Sequence, residues 1–164
     1  MVAITRRGVP CNTSGELPKV GSKAPNFRLV NKDLKNWTLK NFAGKQNILY
    51  IVPSLDPPTC ARSTREFDAR IAKVDGIVLI ISADLPFALS RFCGAEGIDN
   101  VETASVYRAP EFGRDYGVYM ADGRLGGLLA RAIVVIDEGG KVIHAELVPE
   151  IAQEPDYEAV AAAL

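Results

Sequence analysis

The sequence predicts a single α/β domain in which a mixed central sheet lies between helices. Three near-continuous apolar runs, at residues 48–52, 77–81 and 132–136, are typical of strands that are buried on both faces. Segments with helical periodicity follow the first two runs. The third run ends in a polar turn at 137–140, which predicts an antiparallel hairpin late in the chain. A length of 164 residues fits one domain with one core.

Shorter patterns place the other elements around these strands. Polar residues and turn formers at 1–20 indicate a small N-terminal β-hairpin. Asp84 and Pro86 indicate the start of a helix, with Asp84 as its cap. The remaining predictions are strands at 27–30, 37–39, 101–106 and 141–147, and helices at 62–74, from 86 to 94 or 97, at 110–116 and at 155–164. A strand, a turn that carries a cysteine and a helix near the start, with a hairpin near the end, form the layout of a thioredoxin-like fold.

The composition argues against several classes of function. A net charge of −1 leaves no basic surface for nucleic acid or for an acidic membrane. The apolar runs fall well short of the roughly 20 residues that span a bilayer. The twin arginine at 6–7 is not followed by the apolar segment of an export signal. Three cysteines do not make a secreted disulfide framework, so we expect a reducing, cytoplasmic location.

Cys60 is the first candidate for chemistry, because it lies between a buried strand and a predicted helix. The first backbone N–H groups of a helix lack partners within the helix, and the helix dipole favours negative charge there. A thiol at this position should ionise easily, and the thiolate is the nucleophilic form. The alternative role for a free cysteine is that of a small buried hydrophobic side chain. The residues alone leave both roles open.

Other chemistry-bearing residues form weaker patterns. Cys11, Cys60, Cys93 and His144 could supply four metal ligands, but none of them has the spacing of a zinc site. A disulfide exchanger would carry a C-x-x-C motif, which the sequence lacks. The glycine-rich segment at 123–127 does not follow a strand, so we do not expect it to bind phosphate.

Three longer segments resemble the bacterial thiol peroxidases, which are atypical two-cysteine peroxiredoxins. They are PSLDPPTC around Cys60, SADLPFALSRFCGAEG around Cys93 and LLARAIVVIDEGGKVI around Arg131. The similarity extends from about Gly21 to the C-terminus, and the segment around Cys93 is the most specific part. The resemblance implies a thiol-dependent peroxidase that needs no cofactor and no metal.

The resemblance also implies an organisation for the chain. A peroxiredoxin domain would cover residues 21–164, and the hairpin at 1–20 would extend it within a single domain overall. The family forms homodimers, so we expect a second copy as a partner. The candidates for that surface are residues near Phe87, Arg108, Arg114 and Tyr119.

The resemblance implies a role for each residue in the reaction. Cys60 would be the peroxidatic cysteine, which attacks hydrogen peroxide or an alkyl hydroperoxide and becomes a sulfenic acid. Cys93 would be the resolving cysteine of the same chain, and thioredoxin would reduce the Cys60–Cys93 disulfide. Arg131 would hold the thiolate and the peroxide, although by itself it is typical of a solvated strand end. Pro53 would shield the site from water. Since both cysteines lie in predicted helical segments, we expect disulfide formation to require local unwinding.

The sequence departs from the family at one active-site position. The family pattern is Pro-x-x-x-Thr-x-x-Cys, and its threonine hydroxyl binds the thiolate and the peroxide. Pro57 stands in place of that threonine, and proline has neither a hydroxyl nor an N–H group. Thr59 comes two positions late, so Ser54 and Ser63 are the candidates to replace the hydroxyl. Two functions therefore remain open: a peroxidase, and a catalytically weakened redox-sensing or binding module on the same fold.

Overall fold

The computed structural model describes residues 1–56, 58–71 and 76–164, and the side chains of all of these except 58–61 and 71. No helix among them has both the length and the apolar character needed to cross a membrane. In chain order the described elements are β1 (Ala3–Arg6), β2 (Val9–Asn12), β3 (Arg28–Asn31), β4 (Asn36–Thr38), β5 (Gln46–Ile51), α1 (Pro58–Ile71), β6 (Gly76–Ser82), α2 (Pro86–Glu96), β7 (Val101–Ser105), α3 (Glu111–Asp115), β8 (Ala132–Ile136), β9 (Val142–Leu147) and α4 (Tyr157–Ala163).

The central sheet is mixed, as predicted. Its described strands run in the order β4-β3-β7-β6-β5-β8-β9. Strands β5, β6 and β7 are parallel to one another. Strand β8 pairs with β5, and β3 pairs with β7, both in the antiparallel direction. Strands β8 and β9 form the predicted late hairpin. The predicted N-terminal hairpin is also confirmed, because β1 and β2 form a separate antiparallel sheet.

Side chains that alternate along the buried strands divide the interior into two layers. On one face, Phe67 of α1, Leu89 of α2 and Val160 of α4 pack against the sheet. On the other face, Phe112 of α3 and Ile4 of β1 do so. Helices therefore lie on both faces, as predicted, and the two helices that carry the predicted reactive cysteines share one face.

The start of one helix and the cap of another differ from the prediction. Helix α1 begins at Pro58, four positions before the predicted start. Proline is favoured at the first helical position, because the N–H group that it lacks would have no partner within the helix there. Helix α2 begins at Pro86 with Leu85 as its cap, so the prediction that Asp84 caps this helix was wrong. The predicted end of the first helix, at 74, lies outside the described residues.

Candidate functional site

Two of the predicted site residues, Pro53 and Cys60, lie in the loop between β5 and α1 and in the helical turn that follows it. Strand β5 ends at Ile51, and Pro53 is buried just beyond it. Cys60 lies in the first turn of α1, so the predicted transition from a buried strand to a helix is confirmed. The side chain of Cys60 and the whole of Pro57 lie outside the described residues. The groups around this first helical turn therefore define the site.

Arg131 immediately precedes β8 and is only 1% exposed. Strand β8 pairs with β5 so that Ala132 lies opposite Ile51, which places Arg131 beside the end of β5. Its Nε atom donates to the carbonyl of Ile151 at 3.0 Å, and its Nη1 atom donates to the hydroxyl of Tyr50 at 2.7 Å. A buried charged group is tolerated only where hydrogen bonds compensate for lost water. The interpretation of Arg131 as a solvated strand end was therefore wrong.

Two buried hydroxyl groups accompany the guanidinium. The Oγ atom of Ser63 lies 3.5 Å from Nη1 of Arg131 and shares a hydrogen bond with the hydroxyl of Tyr50. Both Tyr50 and Ser63 are fully buried. Ser63 follows Cys60 by three positions, which is nearly one turn of α1. The first turns of α1, the strand β5 and the start of β8 thus converge on one charged group.

Tyr50 is missing from the sequence-based predictions because it lies in an otherwise apolar run. Its hydroxyl is the feature that could have identified it, since a buried tyrosine hydroxyl usually needs a hydrogen-bond partner. The ring of Tyr50 contacts Phe67, with 4.8 Å between ring centroids, and Phe67 contacts Tyr157 of α4 at 5.1 Å. Burial raises the pKa of Tyr157, so its hydroxyl stays protonated. The rings of Tyr50, Phe67 and Tyr157 therefore pack in series behind the hydroxyl that binds Arg131.

A second polar cluster connects the two regions that carry cysteines. Asp84 accepts hydrogen bonds from the hydroxyl of Ser54 and the N–H of Leu55, both at 2.8 Å, in the loop before α1. It also accepts from the hydroxyl of Ser82 at 2.9 Å, at the end of β6. The carboxylate therefore links the segment before α1 to the segment before α2. Ser54 is bound to Asp84, whereas Ser63 lies beside the guanidinium of Arg131, so Ser63 is the better candidate to replace the threonine hydroxyl.

Cys93 lies in α2, half-buried, and lines a cavity of about 300 Å³ together with Lys32 and Thr103. Burial raises the pKa of its thiol. The positive charge of Lys32 opposes this effect, while the negative charges of Asp68 and Glu102 add to it. Cys93 is therefore mainly a neutral thiol at neutral pH.

Cys11 is buried in β2. Burial raises the pKa of its thiol, and the negative charges of Asp122 and Glu150 raise it further. Neither Cys11 nor Cys93 is thus favoured as a thiolate, which leaves Cys60 as the candidate nucleophile. Within the described part of the chain, no group of three or more His, Cys, Asp or Glu side chains is placed to hold a metal ion.

Comparison with known proteins finds relatives along the whole chain. A family model described as Redoxin matches residues 19–161. Proteins named thiol peroxidase from Mycobacterium bovis and Mycobacterium tuberculosis are 57% identical to the chain over 164 residues. These alignments cover 100% of this chain and 99% of each relative.

Solved structures agree in fold. A peroxiredoxin-like protein from Aquifex aeolicus matches with a TM-score of 0.92 and 38% sequence identity, over 98% of this chain and 94% of that chain. A thiol peroxidase from Chromobacterium violaceum also matches with a TM-score of 0.92, at 21% identity, over 98% of this chain and 93% of that chain. At this lower identity, the second likeness supports the fold alone.

Proposed function

The chain belongs to the Redoxin family and is a peroxiredoxin-type peroxidase with a thioredoxin-like fold, and we propose that Cys60 is the residue with which it attacks peroxides. The observation that supports this most strongly is the buried guanidinium of Arg131 beside the first turns of α1. A fixed positive charge lowers the pKa of a nearby thiol, and so does the start of a helix. Cys60 is the thiol in that setting, whereas burial raises the pKa values of Cys11 and Cys93.

In the proposed first step, the Cys60 thiolate attacks one oxygen of hydrogen peroxide or of an alkyl hydroperoxide. An S–O bond forms as the O–O bond breaks, the sulfur gives up two electrons, and the departing oxygen takes up a proton to leave as water or an alcohol. Arg131 stabilises negative charge on the departing oxygen, and the hydroxyl of Tyr50 orients the guanidinium. Pro53, buried beside the loop, keeps bulk water away. The reaction needs no cofactor.

In the proposed second step, the Cys93 thiol attacks the sulfur of the Cys60 sulfenic acid. The S–S bond forms, the S–O bond breaks, and the hydroxyl group leaves with the thiol proton as water. Thioredoxin then donates two electrons and two protons, which restores both thiols. Because Cys60 lies in α1 and Cys93 in α2, one or both helices unwind locally before the S–S bond forms.

Thiol counting after addition of peroxide tests this function. We expect the reduced protein, which has three cysteines, to lose two thiols for each equivalent of hydrogen peroxide. It should also consume NADPH continuously when thioredoxin and thioredoxin reductase are supplied. Cys93→Ser should stop after a single oxidation, because the sulfenic acid then has no partner.

The matched control for this assay is Cys11→Ser. Cys11 is buried in the N-terminal hairpin, so the variant should still lose two thiols and consume NADPH. Full peroxide consumption by Cys60→Ser, or thiols that persist in the unsubstituted protein, would contradict the proposal.

A redox-sensing module on the same fold is the second candidate function. The observation that favours it is Pro57, which lies outside the described residues and lacks the hydroxyl of the family's threonine. A sensor would be oxidised slowly and would not sustain NADPH consumption. The same assay therefore separates the two functions.

Asp84→Asn should make Cys60 more resistant to over-oxidation, with about a two- to fivefold higher peroxide dose needed to form its sulfinic acid. Ser54 donates to one carboxylate oxygen and Leu55 to the other, so replacing one oxygen with an amino group removes one of these two hydrogen bonds. The loop before α1 is then held less tightly, so the first turn of α1 should unwind more readily. Cys93 should therefore reach the sulfenic acid before a second peroxide molecule does. Mass spectrometry of the Cys60 peptide after graded peroxide doses measures the effect.

Asp137→Asn is the matched control for that substitution. Asp137 organises the turn between β8 and β9 by accepting from the N–H groups of Gly139 and Lys141. The Asp137→Asn variant should need the same peroxide dose as the unsubstituted protein to form the sulfinic acid of Cys60. If Asp84→Asn became more sensitive to over-oxidation, the idea that this carboxylate restrains unwinding would be wrong.

A homodimer and a cytoplasmic location are further parts of the proposal. Leu85 and Phe87, at the start of α2, are 54% and 67% exposed, and Tyr107, after β7, is 43% exposed. Ser82 pairs with Ser105 in adjacent parallel strands, so these three apolar side chains follow strands that end at the same side of the sheet. Exposed large apolar side chains on one side of a sheet are the kind of surface that protein–protein interfaces use.

The other predicted dimer residues already have contacts within the chain. Arg108 donates to the carbonyl of Leu34 at 3.0 Å, and the guanidinium of Arg114 lies 5.0 Å from the ring centroid of Tyr119. Among the predicted surface residues, Phe87 is therefore the one that we place at the centre of the dimer interface.

A further inference from the structure

The N-terminal hairpin contacts the segment that holds Arg131. The Nε atom of Arg131 donates to the carbonyl of Ile151, and the N–H of Val148 donates to the carbonyl of Arg131 at 3.0 Å. Ile151 lies in a short turn after β9, and its N–H donates to the carbonyl of Thr5 in β1 at 2.8 Å. The N–H of Thr5 donates to the carbonyl of Pro149, also at 2.8 Å. Hairpin, turn and guanidinium thus form one continuous series of contacts.

Glu150 joins these segments through its carboxylate. One oxygen accepts from the hydroxyl of Thr5 at 2.7 Å and from the N–H of Gly8 at 3.2 Å. The other oxygen accepts from the N–H groups of Arg7 at 2.9 Å and Ala152 at 3.1 Å. Burial acts to raise the pKa of Glu150, but these hydrogen bonds outweigh it and lower the pKa to about 2. The side chain is therefore ionised throughout the neutral and mildly acidic range.

The turn between β1 and β2 has a shape that suits this carboxylate. Arg7 and Gly8 both have left-handed backbone conformations, with φ values of 50° and 77°. Consecutive residues of this kind form the tight turn that matches the twist of a two-stranded hairpin. A residue with a side chain seldom adopts a left-handed conformation, so the hydrogen bond to Glu150 helps to hold Arg7 in it. The tight turn of the hairpin therefore binds the carboxylate of Glu150 through its two backbone N–H groups.

We propose that Glu150 is a positioning residue for Arg131, and that the N-terminal hairpin is thereby part of the active-site scaffold. This inference rests on the proposed role of Arg131. The carbonyl of Ile151, which receives Nε of Arg131, lies between Glu150 and Ala152, whose N–H the carboxylate also binds. A shift of that carbonyl would turn the guanidinium, and misplacement by about 1 Å can slow an enzyme roughly 100-fold. Weakening the contacts of Glu150 should therefore slow the reaction without abolishing it.

Glu150→Gln tests this inference with little change in shape. One acceptor oxygen becomes an amino group, which cannot accept from the N–H and hydroxyl donors that face it. We expect the second-order rate constant for Cys60 oxidation by hydrogen peroxide to fall by roughly three- to tenfold, and the pKa of the Cys60 thiol to rise. Rapid-quench thiol titration and the pH dependence of alkylation measure these two quantities. A purely structural role would lower the unfolding temperature and leave the thiol pKa unchanged.

Asp122→Asn is the matched control, because Asp122 also binds the hairpin through a carboxylate. It accepts from the N–H and from the side-chain amide of Asn12, both at 2.7 Å, and thus holds β2 rather than the turn at 149–152. This substitution should loosen the end of β2 and keep the contacts of Thr5 and Arg7 with Glu150, so both the rate constant and the thiol pKa should stay unchanged. Equal effects of Asp122→Asn and Glu150→Gln would overturn the positioning role of Glu150.

A double-mutant cycle with Arg131→Lys separates this inference from the role of Arg131 itself. If Glu150 acts through Arg131, Glu150→Gln should have no further effect in the Arg131→Lys background. Additive effects would overturn the positioning role and leave the role of Arg131 intact, whereas an unchanged rate in Arg131→Lys would overturn both. Thr5→Val, which removes one of the donors to Glu150, gives a milder second variant and should cause a smaller loss in the same direction.

Discussion

Arg131→Lys should slow the oxidation of Cys60 by hydrogen peroxide by about two to three orders of magnitude. Lysine keeps the positive charge, but it replaces a planar fork of donors with a single ammonium group. It cannot reproduce both the Nε bond to Ile151 and the Nη1 bond to Tyr50. The charge is then no longer fixed where the departing oxygen becomes negative, so we expect the loss although the net charge is conserved.

The same substitution should raise the pKa of the Cys60 thiol towards that of an ordinary cysteine. Because Arg131 is only 1% exposed, water and salt screen its charge poorly, and its orientation matters more than at the surface. Stopped-flow oxidation and pH-dependent alkylation measure the rate constant and the pKa. Arg124→Lys, at an exposed position before β8, is the matched control and should change neither. A full rate and a low thiol pKa in Arg131→Lys would mean that the start of α1 alone activates Cys60.

The central strands could be predicted from short-range patterns alone. Strands β5, β6 and β8 are apolar over nearly their whole length, and their observed ends lie within two residues of the predicted ones. A strand that is covered on both faces needs no alternation, so an apolar run bounded by polar turns is sufficient to identify it. The start of α1 was harder to predict, because its first turn carries no apolar periodicity and only Pro58 marks it.

The surroundings of Arg131 could not be predicted in this way. An arginine that precedes a strand has the same local sequence whether it faces water or protein. Here its partners Ile151 and Tyr50 are 20 and 81 positions away in the chain. Tyr50 reaches Arg131 because β5 and β8 are neighbours in the sheet, and Ile151 reaches it because the turn after β9 folds back. The family resemblance indicated a role for Arg131 but not the groups that hold it.

Asp84 illustrates the same limit for a helix start. A carboxylate immediately before a predicted helix is typical of a cap, because it can accept from the free N–H groups of the first turn. Besides the nearby Ser82, its donors are Ser54 and Leu55, which lie 30 and 29 positions earlier in the chain. They come close because β5 and β6 are parallel neighbours and end on the same side of the sheet. A cap and a link between loops use the same acceptor, so local sequence does not distinguish them.

Pro57→Thr should raise the rate of Cys60 oxidation by about one to two orders of magnitude. The substitution restores the hydroxyl of the family pattern three positions before Cys60, and a hydrogen bond to a charged group contributes about 1.5–3 kcal/mol. Pro57→Ala is the matched control, because it removes the proline ring without adding a hydroxyl. Both variants should lose a little stability, since the unfolded chain gains freedom when proline is removed. The second-order rate constant with hydrogen peroxide separates the hydroxyl effect from the loss of the ring.

Ser63→Ala, combined with Pro57→Thr, tests whether an existing hydroxyl already compensates for the proline. Ser63 Oγ lies 3.5 Å from Nη1 of Arg131, one helical turn after Cys60. If Ser63 supplies the missing hydrogen bond, Ser63→Ala should slow the unsubstituted enzyme by about tenfold and should cost much less beside Pro57→Thr. Equal losses in both backgrounds would mean that Ser63 only holds Arg131. An unchanged rate in Pro57→Thr, with no loss from Ser63→Ala, would mean that neither position needs a hydroxyl that donates to the thiolate and the peroxide.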